Sequence, residues 1–596
     1  MSLFGDLYVG TSGLQTSQEA LNVVAHNITN TDTEGYVRQQ VTQNTREYNR
    51  IDMSQSGISM KQTGLGVFIA EVRQVRDRFL DESYREEIGR QGFYDNAYGA
   101  IEEIQEIFGE MDGPTFYGSL SDIWTSIEEL VKDPHSEVCQ SMFVQYAQSF
   151  VEAAGNVYDD LANYQDKLNY KVNQYVDQIN DIGHKIYKLN NEIRGIEAGG
   201  VENANDLKDQ RNKLIDDLAK IAKISYSNDT FGNTLIKLEG HDFVVMNGVN
   251  EMGCDLEDES GFYKIYWKDM AEYELSSDGK KIYDYNTPAA QVFDFSVEIS
   301  SALKTDVGAL KSAVLARGDH RGNWTDLYDE ECYNEVKDSI MMNVMAEFDG
   351  LVRNVMLSIN DVLKESAEAA TKLDANSTYL RDENGDPIQV FERIAVDSTT
   401  EPEIIEADRF KTVPPEYTLG NYDDDKQAYE IIDKNGNKLR GRYVRQKNGS
   451  YIGDSSVRYS IHNVAVNQQL VQYPTTLKFI MPDGSVDYTV AKNMEKAFDA
   501  KKFVLNPSLT NPISINEYYA NFVAQIANSG NVYKSLKENQ ELTVKSVEGT
   551  RQGTIGVATD EELSNMIKFQ NAYNANSRFI NVIDECMEHL INTLGR

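Results

Sequence analysis

The sequence predicts an α+β multidomain chain. Terminal helices form a coiled coil, a long antiparallel helical bundle follows, and β-rich outer domains are inserted into it. Three observations lead there. Leu3, Leu7, Gly10, Leu14, Ser17, Leu21, Val24 and Ile28 fall at alternating spacings of four and three. Met566, Phe569, Tyr573, Asn576, Ile580, Ile583, Met587, Leu590 and Leu594 do the same at the other end. Apolar residues at this period form a stripe that a helix buries against another helix. Between the seams, two blocks change to period two and carry the dipeptides of tight hairpins.

The first helix is expected from about Ser2 to Asn30, closed by the turn-forming run Thr29 to Gly35, with Gly35 suited to a left-handed backbone. Tyr36 to Val75 is rich in Val, Ile, Thr and Gln and reads as extended chain. Helix resumes from Arg76 to Phe108 and is broken by Met111-Asp112-Gly113-Pro114. A short helix covers Leu120 to Lys132, with Ser119 or Ser121 as its cap and Asp133-Pro134 as its stop.

Ala154, Tyr158, Leu161, Gln165, Leu168, Val172, Tyr175, Ile179, Ile182, Ile186, Leu189, Ile193 and Ile196 hold one heptad register, with Gln165 the polar exception. That is a helix of about 65 Å at 1.5 Å per residue. Gly199-Gly200 turns the chain, and Asp206 to Ile224 returns as a second helix. Strands follow at Leu235–Leu238, Phe243–Met246 and Tyr263–Trp267, with hairpin turns at Asn247-Gly248 and Asp278-Gly279. Helix is expected from Asp306 to Lys364. A second strand block spans about Asn376 to Leu505, with turns at Asn384-Gly385, Asn435-Gly436, Asn448-Gly449 and Asp483-Gly484. Helices then run from Ile515 to Val547 and from Asp560 to the end.

The organisation is nested. Residues 1–35 with 557–596 form a discontinuous terminal coiled-coil assembly domain. Residues 36–224 with 301–370 and 506–556 form a helical rod domain, and 225–300 and 371–505 are β-rich outer insertions. The expected assembly interface is Leu3, Leu7, Gly10, Leu14, Leu21, Val24 and Ile28 against Met566, Phe569, Tyr573, Ile580, Ile583, Met587, Leu590 and Leu594. The competing reading is an ordinary soluble bundle whose end helices face their own core.

The net charge of −38 repels nucleic acid and anionic lipid surfaces. No apolar run approaches the roughly 18 residues of a membrane span. Asp6 interrupts the start and the first cation is Arg38, so no secretory signal is expected. Cys139, Cys254, Cys332 and Cys586 have no paired spacing. Neither a phosphate loop nor a zinc-binding HExxH motif is present. Asp433-Lys434-Asn435-Gly436 has its glycine too early for a calcium loop and reads as a hairpin turn. No cofactor, metal or catalytic residue is expected.

Several words are specific. His26-Asn27-Ile28-Thr29-Asn30-Thr31, Gly35-Tyr36-Val37-Arg38-Gln39 and Gly556-Val557-Ala558-Thr559-Asp560-Glu561-Glu562 resemble the signatures of bacterial flagellar rod, hook and hook-associated proteins. Leu120-Ser121-Asp122-Ile123-Trp124 with Asp133-Pro134, and Ala204-Asn205-Asp206-Leu207-Lys208-Asp209-Gln210-Arg211, resemble the hook-associated protein 1 family. Glu34 stands where that family usually has proline, and Val37 where it has a small polar residue. The resemblance implies a structural, non-enzymatic subunit joining hook to filament. It implies self-assembly into a ring or tube, and contact with the hook protein and a second hook-associated junction protein. It also implies a cytoplasmic export chaperone at the C-terminal segment and secretion through the flagellar type III channel. A hook or distal-rod subunit, or a junction protein whose outer block is an adhesin, are the alternatives.

Overall fold

The computed structural model describes residues 3–46, 49–50, 62–109, 116–200, 202–257, 260–276, 280–327, 330–374, 377–382, 385, 387–393, 417–423, 428–433, 438–445, 451–453, 461, 464–481 and 483–594. Its described helices, in order, are α1 (Leu3–Thr29), α2 (Arg78–Phe108), α3 (Phe116–Lys132), α4 (Glu137–Glu197), α5 (Asn205–Ile221) and α6 (Ala309–Arg317). They continue as α7 (Glu330–Val336), α8 (Ile340–Leu373), α9 (Gln468–Gln472), α10 (Thr489–Asp499), α11 (Ile515–Ile555) and α12 (Thr559–Leu594). Chain contacts divide the molecule into two compact units. One comprises Met1–Asn96, Lys171–Ser312 and Ser535–Arg596; the other comprises Ala97–Tyr170 and Ala313–Lys534.

The first unit holds α1, α5, α12 and parts of α2, α4, α6 and α11. Strands Gln39–Thr45 and Val67–Gln74 pair antiparallel as a hairpin against α1. A four-stranded antiparallel meander follows α5: Ile224–Asn228, Thr234–Leu238, His241–Val245 and Gly248–Val249. Met252–Leu256 then pairs with Tyr263–Trp267. Thr234–Leu238, His241–Val245 and Tyr263–Trp267 lie where period two predicts strands, whereas Ile224–Asn228, Gly248–Val249 and Met252–Leu256 are additional, and α5 ends at Ile221, short of the expected Ile224. Gly35 has φ +83°, the left-handed conformation its turn requires.

The second unit is built around α8. Phe348 on α8 meets Phe108 and Phe116 edge-on at ring-centroid distances of 5.4 and 4.8 Å, and Phe522 from α11 closes on Phe108 at 5.1 Å. Such pairs add to the burial of their apolar area. The α4 register faces cores throughout: all its predicted positions are buried except Tyr175, which is half-buried, and Ile196, which is exposed. Gln165, fully buried, has every polar atom engaged. Its Nε2 donates to the carbonyls of Arg317 (2.6 Å) and His320 (2.9 Å), and its Oε1 accepts from Arg321 (2.8 Å).

Four details differ from the sequence expectation. α3 begins at Phe116, so neither Ser119 nor Ser121 caps it; Ser119 Oγ instead donates to the Phe116 carbonyl. Burial of Phe116 in the aromatic cluster draws the helix start back. α4 begins at Glu137, before the first recognised register position. The single helix expected over 306–364 is three helices, α6, α7 and α8, because Gly318 adopts φ +76° and residues 317–321 turn to meet Gln165. The strand block ends at Val466, after which α9 and α10 return, with Val490, Ala491, Met494 and Phe498 of α10 buried in the helical core. Asp483-Gly484 is a turn with Gly484 at φ +84°. Asp278-Gly279, Asn435-Gly436, Asn448-Gly449, Asn384 and Met111 to Pro114 lie outside the described residues.

α8 also anchors the inserted strands. Asn360 Oδ1 accepts from the backbone N–H of Val390 (2.9 Å) and Phe391 (3.2 Å), and its Nδ2 donates to the Phe391 carbonyl (2.8 Å). Asp349 accepts from the N–H groups of Trp324 (3.0 Å) and Ile461 (2.9 Å). Burial pushes the Glu347 and Asp349 carboxyls up to about 7. A folded-state value above the unfolded one contributes stability that is full below the ordinary carboxylate range and is lost as pH rises through about 7. The thermal midpoint, followed by near-UV circular dichroism, is therefore expected to fall between pH 5 and pH 8. Glu347→Gln should flatten that slope; an unchanged slope in the variant would refute the assignment.

Candidate assembly interface

α1 and α12 lie against each other along their length, bringing the two ends of the chain together. The approach is close at two glycines. A Cβ on Gly10 would sit 2.9 Å from Ile580 Cγ1 and 3.1 Å from Phe579 Cδ1, and one on Gly13 would sit 2.7 Å from Asn576 Nδ2. Real Cβ atoms do not tolerate such separations without displacing the neighbour. On α1, Gly10 and Val24 are buried, while Leu7, Leu14, Leu21 and Ile28 are half-buried. On α12, Ile583 is buried; Met566, Phe569, Tyr573, Ile580 and Met587 are half-buried; Leu590 is exposed. Leu3 and Leu594 lie within the helices, but their side chains are outside the described residues.

α1 has a second buried face that its heptad reading overlooks. Ser12, Thr16, Ala20 and Asn27 are buried there, and Ser12 Oγ accepts from the Val67 N–H at 3.2 Å in the hairpin. Thr16 returns its hydroxyl to the Ser12 carbonyl, and Ser17 to that of Gly13. Small hydroxylated side chains thus reach the interior with their polar atoms satisfied.

At the base of the helix pair, residues from distant words of the sequence form one polar node. Asn27 is 1% exposed and its side chain makes four hydrogen bonds. Its Nδ2 donates to the Gln39 carbonyl (2.9 Å) and Glu562 Oε2 (3.0 Å), and its Oδ1 accepts from Tyr36 OH (2.8 Å) and Gln39 N–H (3.0 Å). Arg38 grips Glu562 through Nε (2.9 Å) and Nη2 (2.8 Å), and reaches Glu561 through Nη1 (2.9 Å). The Arg38 N–H donates to the Ile555 carbonyl at 2.9 Å, at the end of α11. A fork-shaped guanidinium holding a buried carboxylate is both strong and directional.

The node continues into α5. The Val37 N–H donates to Asp209 Oδ2 (3.2 Å), Gln74 Nε2 to Asp209 Oδ1 (2.7 Å), and Gln39 Nε2 to Asp206 Oδ1 (3.1 Å). Burial pushes the Asp209 carboxyl up to about 7, opposed by the Val37 N–H and by Arg76. Burial likewise raises the Tyr36 hydroxyl, which stays a donor to Asn27. Beyond Asp209, Arg551 of α11 meets Asp216 (2.7 Å) and Asp81 (3.1 Å), and Arg85 meets Asp216 (2.6 Å).

None of Asn27, Arg38, Asp209 or Glu562 belongs to the apolar seams. They were visible as motif words, but a heptad count assigns no role to a polar residue. Among the described residues no group of three or more His, Cys, Asp or Glu could hold a metal ion. Among the described residues no helix is long and apolar enough to cross a membrane.

Residues 101–281 match the family model described as flagellar hook-associated protein FlgK helical domain. Residues 7–36 match flagella basal body rod protein, and 552–593 match flagellar basal body rod FlgEFG protein C-terminal. The chain is 24% identical to flagellar hook-associated protein 1 of Bacillus subtilis, with 100% of this chain and 99% of that protein aligned. It is 21% identical to the protein of the same name from Salmonella typhimurium, over 98% of each. The solved flagellar hook junction protein FlgK from Burkholderia pseudomallei shares the fold with a TM-score of 0.50 at 12% identity, covering 79% of this chain and 99% of that one.

Glu562 is 2% exposed whereas Glu561 is exposed. Glu562→Ala leaves the Arg38 cation without its inner partner and is expected to cost about 3 kcal/mol. Glu561→Ala should leave stability nearly unchanged. Denaturant unfolding of the two variants checks the difference, and equal effects would sink the proposed hierarchy.

Proposed function

We infer that the chain is a member of the flagellar hook-associated protein 1 family and a structural subunit of the bacterial flagellum that joins hook to filament. It assembles with itself and with other flagellar components, as members of this structural family do. The rod models match only its two ends, whereas the hook-associated model matches a segment dominated by α4 and α5. That distribution favours the junction subunit over a hook or rod subunit.

The observation that carries the assembly mechanism is the incomplete burial of the terminal helix pair. Phe4 is 75% exposed and Ile591 70%, with Tyr8, Ile567, Val582 and Leu590 also bare. Apolar residues left uncovered on a helix pair mark an interaction surface. We propose that residues 1–35 with 557–596 form a coiled-coil assembly domain, using the seam from Leu3 to Ile28 and the seam from Met566 to Leu594. Identical neighbours in a ring or tube cover the remaining apolar edge. Each fully buried Leu or Ile contributes about 1.5–3 kcal/mol, enough over several residues to offset ordering of the helices.

The hook protein and a second hook-associated junction protein are the proposed axial partners. Before assembly the C-terminal segment needs cover, and a cytoplasmic export chaperone is proposed to supply it. Export through the flagellar type III channel is the proposed route that places the chain outside the cell.

Deleting the gene should leave intact hooks without filaments, with the filament subunit lost to the medium; filaments on such cells would refute the junction role. Gly10→Leu drives a side chain into Ile580 and Phe579. It should abolish junction assembly while the near-UV circular dichroism of the remaining chain persists. Normal junctions built from that variant would show that the seam is misassigned.

A further inference from the structure

Two adjoining cavities open in the first unit, away from the terminal helices. One, of about 760 Å³, is lined by Lys223, Glu239, Lys304 and Lys311 together with Phe293 and Phe295. The other, of about 400 Å³, shares Lys223, Lys304 and Val307 and adds Arg78, Glu82, Arg85 and Glu86. Across both, five cations (Arg78, Arg85, Lys223, Lys304, Lys311) face four carboxylates (Glu82, Glu86, Glu239, Asp294). In the whole chain, carboxylates outnumber cations 95 to 57. The cleft lacks the excess of carboxylates that the chain carries as a whole.

Its cations are not equivalent. Arg78 is paired with Glu82, Arg85 with Asp216 and Lys304 with Glu86, and Lys223 donates to the Lys304 carbonyl. Lys311 is 6% exposed and makes no hydrogen bond or ion pair among the described residues. Glu239 influences it across the cavity and Asp294 more weakly, and burial lowers its ammonium from the ordinary lysine range. The Lys311 stem is buried while its ammonium borders the cavity, where an incoming carboxylate would give it a partner. The backbone here is strained as well: Glu239 (φ +49°) and Lys304 (φ +55°) are two of the three described non-glycine residues in the left-handed region. Strain of this kind persists where the surrounding structure has a use for it. The wall over Lys311 is an irregular segment whose Phe295 and Val297 are exposed.

We propose that this double cavity receives a carboxylate-bearing, apolar-flanked segment of a second copy of the chain, with Lys311 as the anchor. The inference rests on the self-assembling role argued above. A neighbouring copy is rich in carboxylates, so charge complementarity is available at every subunit contact. A small inorganic anion would satisfy the ammonium but leave the Phe293 and Phe295 wall uncovered; a side chain carried on a peptide segment does both.

The test is carbodiimide coupling of isolated flagella, which joins a lysine to a carboxylate only where they touch. The covalent dimer and the monomer are separated by electrophoresis and digested for mass spectrometry. Peptides holding Lys223, Lys304 or Lys311 joined to an Asp or Glu peptide should be enriched in the dimer. Lys311→Met should reduce them about tenfold, as loss of one charged contact implies. Lys223→Met, at an exposed rim position, serves if the buried substitution prevents folding. A dimer joined only elsewhere, cleft links equally abundant in the monomer, or no dimer from flagella that contain the chain would each overturn the proposal while leaving the junction role intact. Absence of the chain from flagella would overturn the junction role itself.

Discussion

The structure depends on holding its two ends together at a buried polar node. Asn27 and Glu562 are almost wholly removed from water, and each satisfies the other's hydrogen-bonding demand with help from Arg38, Tyr36 and Gln39. A buried carboxylate tolerates its desolvation only when the geometry of its partners is good. That requirement makes the node selective: α12 can leave α11 in one direction, and α1 can enter the hairpin in one register. Apolar stripes alone would allow the helices to slide, because hydrophobic burial has no direction.

Above the node, the helix pair is governed by closeness more than by bulk. Gly10 and Gly13 let α12 come in until Ile580 and Asn576 occupy the space where side chains would stand. The opposite face of α1 is occupied by Ser12, Thr16 and Ala20 against the hairpin. Small residues on both faces allow one helix to be packed from two sides, yet they bury little area each. The larger apolar side chains stay half-covered in the single chain.

How far the fold was legible depended on what each residue's neighbours in sequence could reveal. The α4 register was readable because burial of one helical face repeats over many turns, and Gln165 stood out as its exception. Its partners, the carbonyls of Arg317 and His320, come from a turn that periodicity read as continuous helix. Phe116 starts α3 early because it enters an aromatic cluster with Phe348, a residue far along the chain. α10 was read as strand because its sequence lies in a polar stretch with hairpin turns, while its buried face is set by the core it joins.

The sequence by itself determined the helical terminal segments, the long α4 helix and the resemblance to hook-associated proteins, since local periodicity and contiguous motif words carry those. Tertiary structure decided which residues bind the ends into one unit. Asn27, Arg38, Asp209 and Glu562 become a node only when segments more than 500 residues apart in the chain are brought within hydrogen-bond reach, as Asn27 and Glu562 are at a sequence separation of 535. Polar partners are specified by direction and distance in space, and neither is written in a linear pattern of apolar and polar residues.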